Sequence, residues 1–221
     1  VSAVVSTRTL LAHIRQATVG DVGILNCHPF QHGPWTFGHN GAVAGYARPA
    51  VGDAIRDAVD PRFRSFILGT TDSETMFYVF LSRLARLVDD IYEGGVMLPL
   101  VLDAMRETVE LVRRLGAADV GLTDEERTKL TLLITNGNVL VGYRFRRPLH
   151  YSTYKSRCPE RDTCPAFEDR KCEQRVDSGS VKHMILTSER IRENPNVWIE
   201  QADGEYVAVD YGMHFHRGAL I

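Results

Sequence analysis

No apolar run in this sequence approaches the ~20 residues that a membrane-spanning helix needs. Neither sign of charge prevails: 26 Lys and Arg stand against 28 Asp and Glu, a formal net charge of -2. Bulk electrostatics therefore excludes nucleic acid and anionic membrane surfaces as expected partners. Cysteine is scarce, four in 221 residues, which is too few for a disulfide scaffold. A cytoplasmic setting is the expectation. No basic stretch leading into an apolar one opens the chain, and residue 1 is Val rather than Met. There is no internal repeat and no low-complexity tract. What is present is ordinary globular usage, 44% apolar and 24% charged residues, enough for the core of one domain spanning 1–221.

Hydrophobic period changes along the chain. Leu10 to Ile14 is a short apolar run ending at Arg15 and reads as a buried strand. Residues 20–34 are rich in Gly, Pro and Asn and read as a loop. Trp35 to His39 alternates as a strand, and Asn40-Gly41 reads as the turn after it. Thr71 and Glu74 have capping-box spacing. Met76, Phe77, Phe80, Leu81, Leu84, Leu87 and Val88 then recur at helical intervals. A second helix is expected after Pro99, with Val101, Leu102, Met105, Val109 and Val112 on one side. Leu130–Thr135 and Val139–Phe145, joined by Asn136-Gly137-Asn138, predict a hairpin. Met184–Leu186, Val197–Ile199, Tyr206–Val209 and Tyr211–His216 predict further strands. Between them, 155–180 is polar and cysteine-bearing, and reads as an inserted loop. Strands, two helices and more strands predict an α+β layered domain.

Three segments concentrate chemistry. Arg15 at a strand end is either a surface cap or a fixed guanidinium for a carboxylate, with the Thr18 hydroxyl beside it. Asn40-Gly41 is either a turn or an oxyanion hole, in which a side-chain amide and a closely approaching backbone N–H face one developing negative oxygen. Asp72 is either placed to suit a helix N-terminus or set to receive an ammonium. A carboxylate binder, an ammonium binder and an oxyanion hole together suit an α-amino acid with a reactive side-chain carbonyl, such as glutamine.

The runs AHIRQATVG, NCHPF, WTFGHNG and GTTDSE, in this order over residues 12–74, resemble the class II glutamine amidotransferase family. The similarity is greatest to its stand-alone members, including the γ-glutamyl hydrolase of ergothioneine synthesis. ITNGNVLVGYRF, LHYS at 149–152 and ILTSE at 185–189 extend it. The resemblance implies a four-layer αββα sandwich of the N-terminal nucleophile hydrolase type and hydrolysis of a glutamine or γ-glutamyl amide. It implies that Arg15 and Thr18 hold the substrate carboxylate, Asn40 and Gly41 form the oxyanion hole, and Asp72 binds the α-ammonium. His39 and Ser73 would shape the pocket. No cofactor is implied. The partner is glutamine or a γ-glutamyl metabolite, with any acceptor-processing partner unknown.

In that family the nucleophile is an amino-terminal cysteine whose own α-amino group acts as base, and an Asn-Gly-Asp-Gly-Trp-Gly segment follows it. Neither is in this sequence, and Val1 stands a short way before Arg15. The expectation is a domain lacking its amino-terminal segment, inactive by itself and marginal in stability because sheet edges are uncovered. The alternative is a catalytically inert amino-acid-binding module that keeps the glutamine pocket. Cys27, next to His28, is expected to be a buried or pocket-wall thiol rather than the nucleophile. Ser2 is misplaced for that role. Cys158, Cys164 and Cys172, flanked by His150 and His183, are weak candidates for a tetrahedral zinc, since their spacing is not C-x2-4-C. His214 and His216 share one face of a strand. Arg144, Arg146 and Arg147 form either a solvated loop or a surface toward an anionic acceptor.

Overall fold

The computed structural model describes residues 7–14, 22–116, 122–123, 126–191 and 194–221. Among the described residues ten strands appear in chain order. They are β1 (Phe30–His32), β2 (Trp35–Ala42), β3 (Lys129–Thr135), β4 (Leu140–Tyr143), β5 (His150–Ser152), β6 (Gly179–Ser180), β7 (Ile185–Thr187), β8 (Ile199–Glu200), β9 (Glu205–Val209) and β10 (His214–Ala219). The helices are α1 (Pro49–Asp57), α2 (Pro61–Arg64), α3 (Asp72–Leu84), α4 (Leu98–Leu115) and the single turn α5 (Asp169–Cys172). Seven strands form one antiparallel sheet in the order β1-β2-β3-β4-β9-β10-β6, and three form a second in the order β7-β5-β8.

The two helices foreseen from periodicity are present. Thr71 caps α3, its hydroxyl accepting from the Glu74 N–H at 3.2 Å. The reciprocal arm of the capping box goes elsewhere: the Glu74 carboxylate accepts from the N–H groups of Leu68 and Gly69 at 3.0 and 2.7 Å, closing the loop before the helix. Pro99 lies in the first turn of α4, where its missing N–H costs nothing. Both helices pack on one face of the large sheet. Phe37 of β2 stacks on Phe77 of α3 with ring centres 5.4 Å apart, and Trp35 meets Phe80 edge to face. Trp35 is fully buried and donates its indole N–H to the Ile91 carbonyl at 2.8 Å.

The other face of the large sheet meets the small one. Strand alternation makes this legible in β9, where Ala208 and Tyr206 join the helix-side core. Val207 and Val209 instead pack with Tyr151, Phe215, Leu186 and Ile199 between the sheets. Gly142 of β4 lets the sheets approach, because a Cβ there would lie 2.8 Å from the Leu186 side chain and 3.1 Å from Leu149. The described order is thus helices, seven-stranded sheet, three-stranded sheet. Among the described residues no helix is long and apolar enough to cross a membrane.

Several local expectations are corrected. Leu10 to Ile14 is not a strand and is not buried; Ile14 is 98% exposed. Among the described residues no strand pairs with it, and side chains near its start anchor it instead. Thr9 Oγ1 donates to the Gly137 carbonyl, and Arg8 donates to the Tyr211 carbonyl and lies over that ring. Asn40-Gly41 is not a turn, since β2 runs on to Ala42 and pairs with β3 throughout. The loop foreseen over 20–34 contains β1, which forms a hairpin with β2. The cysteine-bearing stretch holds α5 and also β6, which pairs with β10.

Replacing Phe77 with Ala should destabilise the chain by about 3–5 kcal/mol, read as a lower urea midpoint at unchanged slope. Burial pushes the phenols of Tyr78 and Tyr143 up to about 12, above the ordinary value near 10. The folded state therefore binds these protons more tightly than the unfolded one. Stability present below pH 10 should be lost as pH rises toward 12, and ultraviolet titration should show two of the eight tyrosines ionising last.

Candidate functional site

Where the large sheet meets the small one there is a cleft of about 340 Å³. β2 contributes Gly38, His39, Asn40 and Gly41 to its wall. The cap and first turn of α3 contribute Thr71, Asp72 and Ser73, and the end of β7 with the two residues after it contributes Leu186 to Glu189. The LHYS and ILTSE runs meet here because β5 and β7 pair, His150 opposite Thr187 and Ser152 opposite Ile185. A larger cavity of about 1020 Å³ lies elsewhere, lined by Val96, Leu98, Leu102, Tyr206 and Tyr211 among others. It carries none of the residues singled out for amide chemistry.

Asp72 is the first residue of α3 and is 3% exposed. One carboxylate oxygen accepts from the Val43 N–H at 2.7 Å; the other accepts from the Ser73 N–H at 2.8 Å. The oxygen that accepts from Val43 has room for a second donor, so the group keeps capacity for a ligand cation. The helix N-terminus favours the negative charge there. Ser73 Oγ lies 3.2 Å from the same Asp72 oxygen and 2.9 Å from His39 Nδ1. His39 Nε2 lies 2.9 Å from the Lys129 carbonyl oxygen and donates to it. His39 and Ser73 are both buried, so this run fixes the floor of the cleft from β3 to α3.

Gly41 sits beside this floor with φ +154. A Cβ there would lie 2.0 Å from the Lys129 carbonyl oxygen and 2.8 Å from His39 Nε2. Only glycine lets β2 and β3 close at this point while keeping the His39 contact. Asn40, its neighbour, is exposed toward the cleft and pairs in register with Thr131. The structure thus brings Asn40, Gly41 and Asp72 to one cleft. Arg15 and Thr18 lie outside the described residues, though Ala12, His13 and Ile14 just before them also line the cleft.

The cysteines are placed apart from it. None of the four lines the cleft. Cys27 is exposed, with its thiol 3.4 Å from the Gly23 carbonyl, so it is not the buried or pocket-wall thiol expected. His28, next in sequence, does line the cleft and stacks on His13 with ring centres 4.4 Å apart. Cys158 is buried near Lys155 Nζ, and Cys172 accepts from the Glu168 N–H. All four are free thiols. Among the described residues no three His, Cys, Asp or Glu side chains are placed to hold a metal ion, so Cys158, Cys164 and Cys172 are not brought together for one. Burial, with Lys155 nearby, holds His183 below the usual histidine range. His214 and His216 do share a face, and His214 Nδ1 and His216 Nε2 turn to the Asp210 carboxylate at 3.2 and 3.1 Å.

Thr131, which no motif marked out, and Arg147 of the arginine cluster also reach the cleft, beside Leu149 and Ser188 of the LHYS and ILTSE runs. Only the hairpin after β3 and the pairing of β5 with β7 bring them in, and neither leaves a short-range signal.

The family described as "Glutamine amidotransferases class-II" matches residues 2–218. The chain is 28% identical over 139 residues to "Probable glutamine amidotransferase DUG3" of Saccharomyces cerevisiae, covering 62% of this chain and 38% of that protein. It is 37% identical over 82 residues to "Putative glutamine amidotransferase YafJ" of Escherichia coli, covering 35% of this chain and 28% of that protein. The chain thus spans less than half the length of these curated relatives. A solved class-II glutamine aminotransferase domain protein from Silicibacter pomeroyi superposes with a TM-score of 0.57 at 20% identity, over 90% of this chain and 74% of that one.

Gly41→Ala should cost at least about 2 kcal/mol through its clash with the β3 backbone. Urea unfolding measures it; an unchanged midpoint would show that β2 and β3 do not close as described.

Proposed function

The chain belongs to the class II glutamine amidotransferase family, and from that premise we propose that its cleft binds glutamine or a γ-glutamyl amide and polarises the amide for cleavage. The observation that carries this reading is the convergence of Asp72, Asn40 and Gly41 on one cleft at the meeting of the two sheets. Asp72 receives the α-ammonium, and Arg15 with Thr18 receives the α-carboxylate. The Asn40 side-chain amide and the Gly41 N–H stabilise the negative charge that grows on the amide oxygen. Glycine at 41 supports this role, because any side chain there would fill the approach to His39 and Lys129.

In the whole protein, an amino-terminal cysteine thiolate attacks the amide carbon. The amine leaves with a proton, and water hydrolyses the resulting thioester to free glutamate and the thiol. The absence of cysteine from the cleft wall supports assigning attack to a group other than this chain's own four thiols. The same observation favours a second reading, an inert module that binds the amino acid without cleaving it. In the first reading a further helix layer covers the small sheet in the whole protein, giving the αββα order, and 1–221 belongs to a single domain.

Titration calorimetry should show L-glutamine binding to this chain, and Asp72→Asn should weaken it about tenfold or more, since a charged hydrogen bond is lost. A chain with no affinity for glutamine would overturn the assignment of the cleft. Coupled glutamate dehydrogenase assay should detect no ammonia release from the 221-residue chain; release would place the nucleophile within it.

A further inference from the structure

The cleft has a charged lining residue that glutamine itself does not call for. Of the three arginines after β4, Arg144 is tied to Glu200 and to the Gln201 carbonyl. Arg146 lies over the Phe145 ring and gives its backbone N–H to Asp203. Arg147 alone of the three lines the cleft. Its backbone is held in place: Thr131 Oγ1 donates to the Arg147 carbonyl at 2.8 Å, and Thr131 is the β3 partner of Asn40. Arg147 is therefore stationed one strand away from the residue given the amide oxygen. Asp72 approaches the same residues from α3, bonded to the Val43 N–H just past β2. The Arg147 side chain is exposed and forms no ion pair with a described residue, including Glu189, the other solvent-exposed charge of the cleft.

Glutamine has one carboxylate, and the reading above, on which this inference rests, assigns it to Arg15 and Thr18. Its leaving group, ammonia, carries no anion. A guanidinium in the cleft beyond the one assigned to the glutamine carboxylate suits a substrate with a second anionic group. We propose that Arg147 is a specificity-determining residue that binds a carboxylate on the amine half of the substrate, so that the substrate class is γ-glutamyl amides of amino acids rather than glutamine. Arginine suits this role because its planar fork meets a carboxylate through two parallel hydrogen bonds. The bond broken is the same γ-amide bond; the departing amine is then an amino acid, and water supplies the oxygen of the new glutamate carboxylate.

The test is calorimetry on the wild-type chain at low ionic strength, where exposed charges are least screened, with L-glutamine, γ-L-glutamylglycine and γ-L-glutamylglycinamide. The two dipeptide probes differ only in whether the distal group is charged. The expected result is at least about fivefold tighter binding of γ-glutamylglycine than of its amide. Arg147→Gln should abolish that difference while leaving glutamine affinity within twofold, and Arg147→Lys should restore part of it. Equal affinity for the two probes, with glutamine still bound, overturns this inference alone. Equal weakening of glutamine and γ-glutamylglycine by Arg147→Gln also overturns it, because Arg147 would then hold the α-carboxylate. No binding of glutamine by the wild-type chain overturns the underlying reading, and this one with it. Arg147 is exposed, so unchanged thermal unfolding of both variants is expected and keeps the comparison one of binding.

Discussion

The buried carboxylate of Asp72 is the interaction on which the arrangement of this molecule turns. It belongs to α3 by sequence and is bonded to the residue just past β2, since it accepts the N–H of Val43 while the Ser73 N–H holds its other oxygen. A buried carboxylate is tolerated only where donors replace water. Here the donors come from two elements, so satisfying the charge also fixes the helix start against the strand that carries Asn40 and Gly41. The Phe37–Phe77 stack further along the same pair adds apolar contact to that junction. The cleft is a consequence: it opens where α3 begins, with its floor tied together from the Lys129 carbonyl through His39 and Ser73.

The second constraint is close approach. Gly142 admits the small sheet against the large one, and Gly41 admits β3 against β2 beside the His39 ring. Without the first, Leu186 and Leu149 would be held off and the residues up to Glu189 would stand away from the cleft. Without the second, the backbone that presents Asn40 would move. Two glycines far apart in sequence therefore set the two walls of one site. The polar wall comes from β2 and α3, and the opposite wall, with Arg147, comes from chain that follows β3.

Much of the scaffold could be read from the sequence. The apolar spacing from Met76 to Leu84 and from Val101 to Val112 fixed both long helices, and Thr71 fixed the start of α3. The hairpin around Asn136-Gly137 was equally clear, because its turn and both alternating strands lie within a few residues. Leu10 to Ile14 misled because four apolar residues among five describe burial only if something covers them, and among the described residues no strand does. Asn40-Gly41 misled because a dipeptide that favours turns is held extended by pairing with Thr131 and Leu130.

The sequence by itself determined the family and the two long helices α3 and α4, and it singled out Asn40, Gly41 and Asp72 as candidates, because these rest on motifs and periods written within a few neighbouring residues; α1 (Pro49–Asp57) was not foreseen. Only the tertiary structure decided that Asn40 and Gly41 are strand residues facing a cleft, that Cys27 lies outside it while His28 lies within, and that Arg147 separates from Arg144 and Arg146 to line it. Those outcomes depend on register and close approach between β2, β3, β5 and β7. Strands that pair across some ninety residues of intervening chain leave no local pattern from which their neighbours can be read.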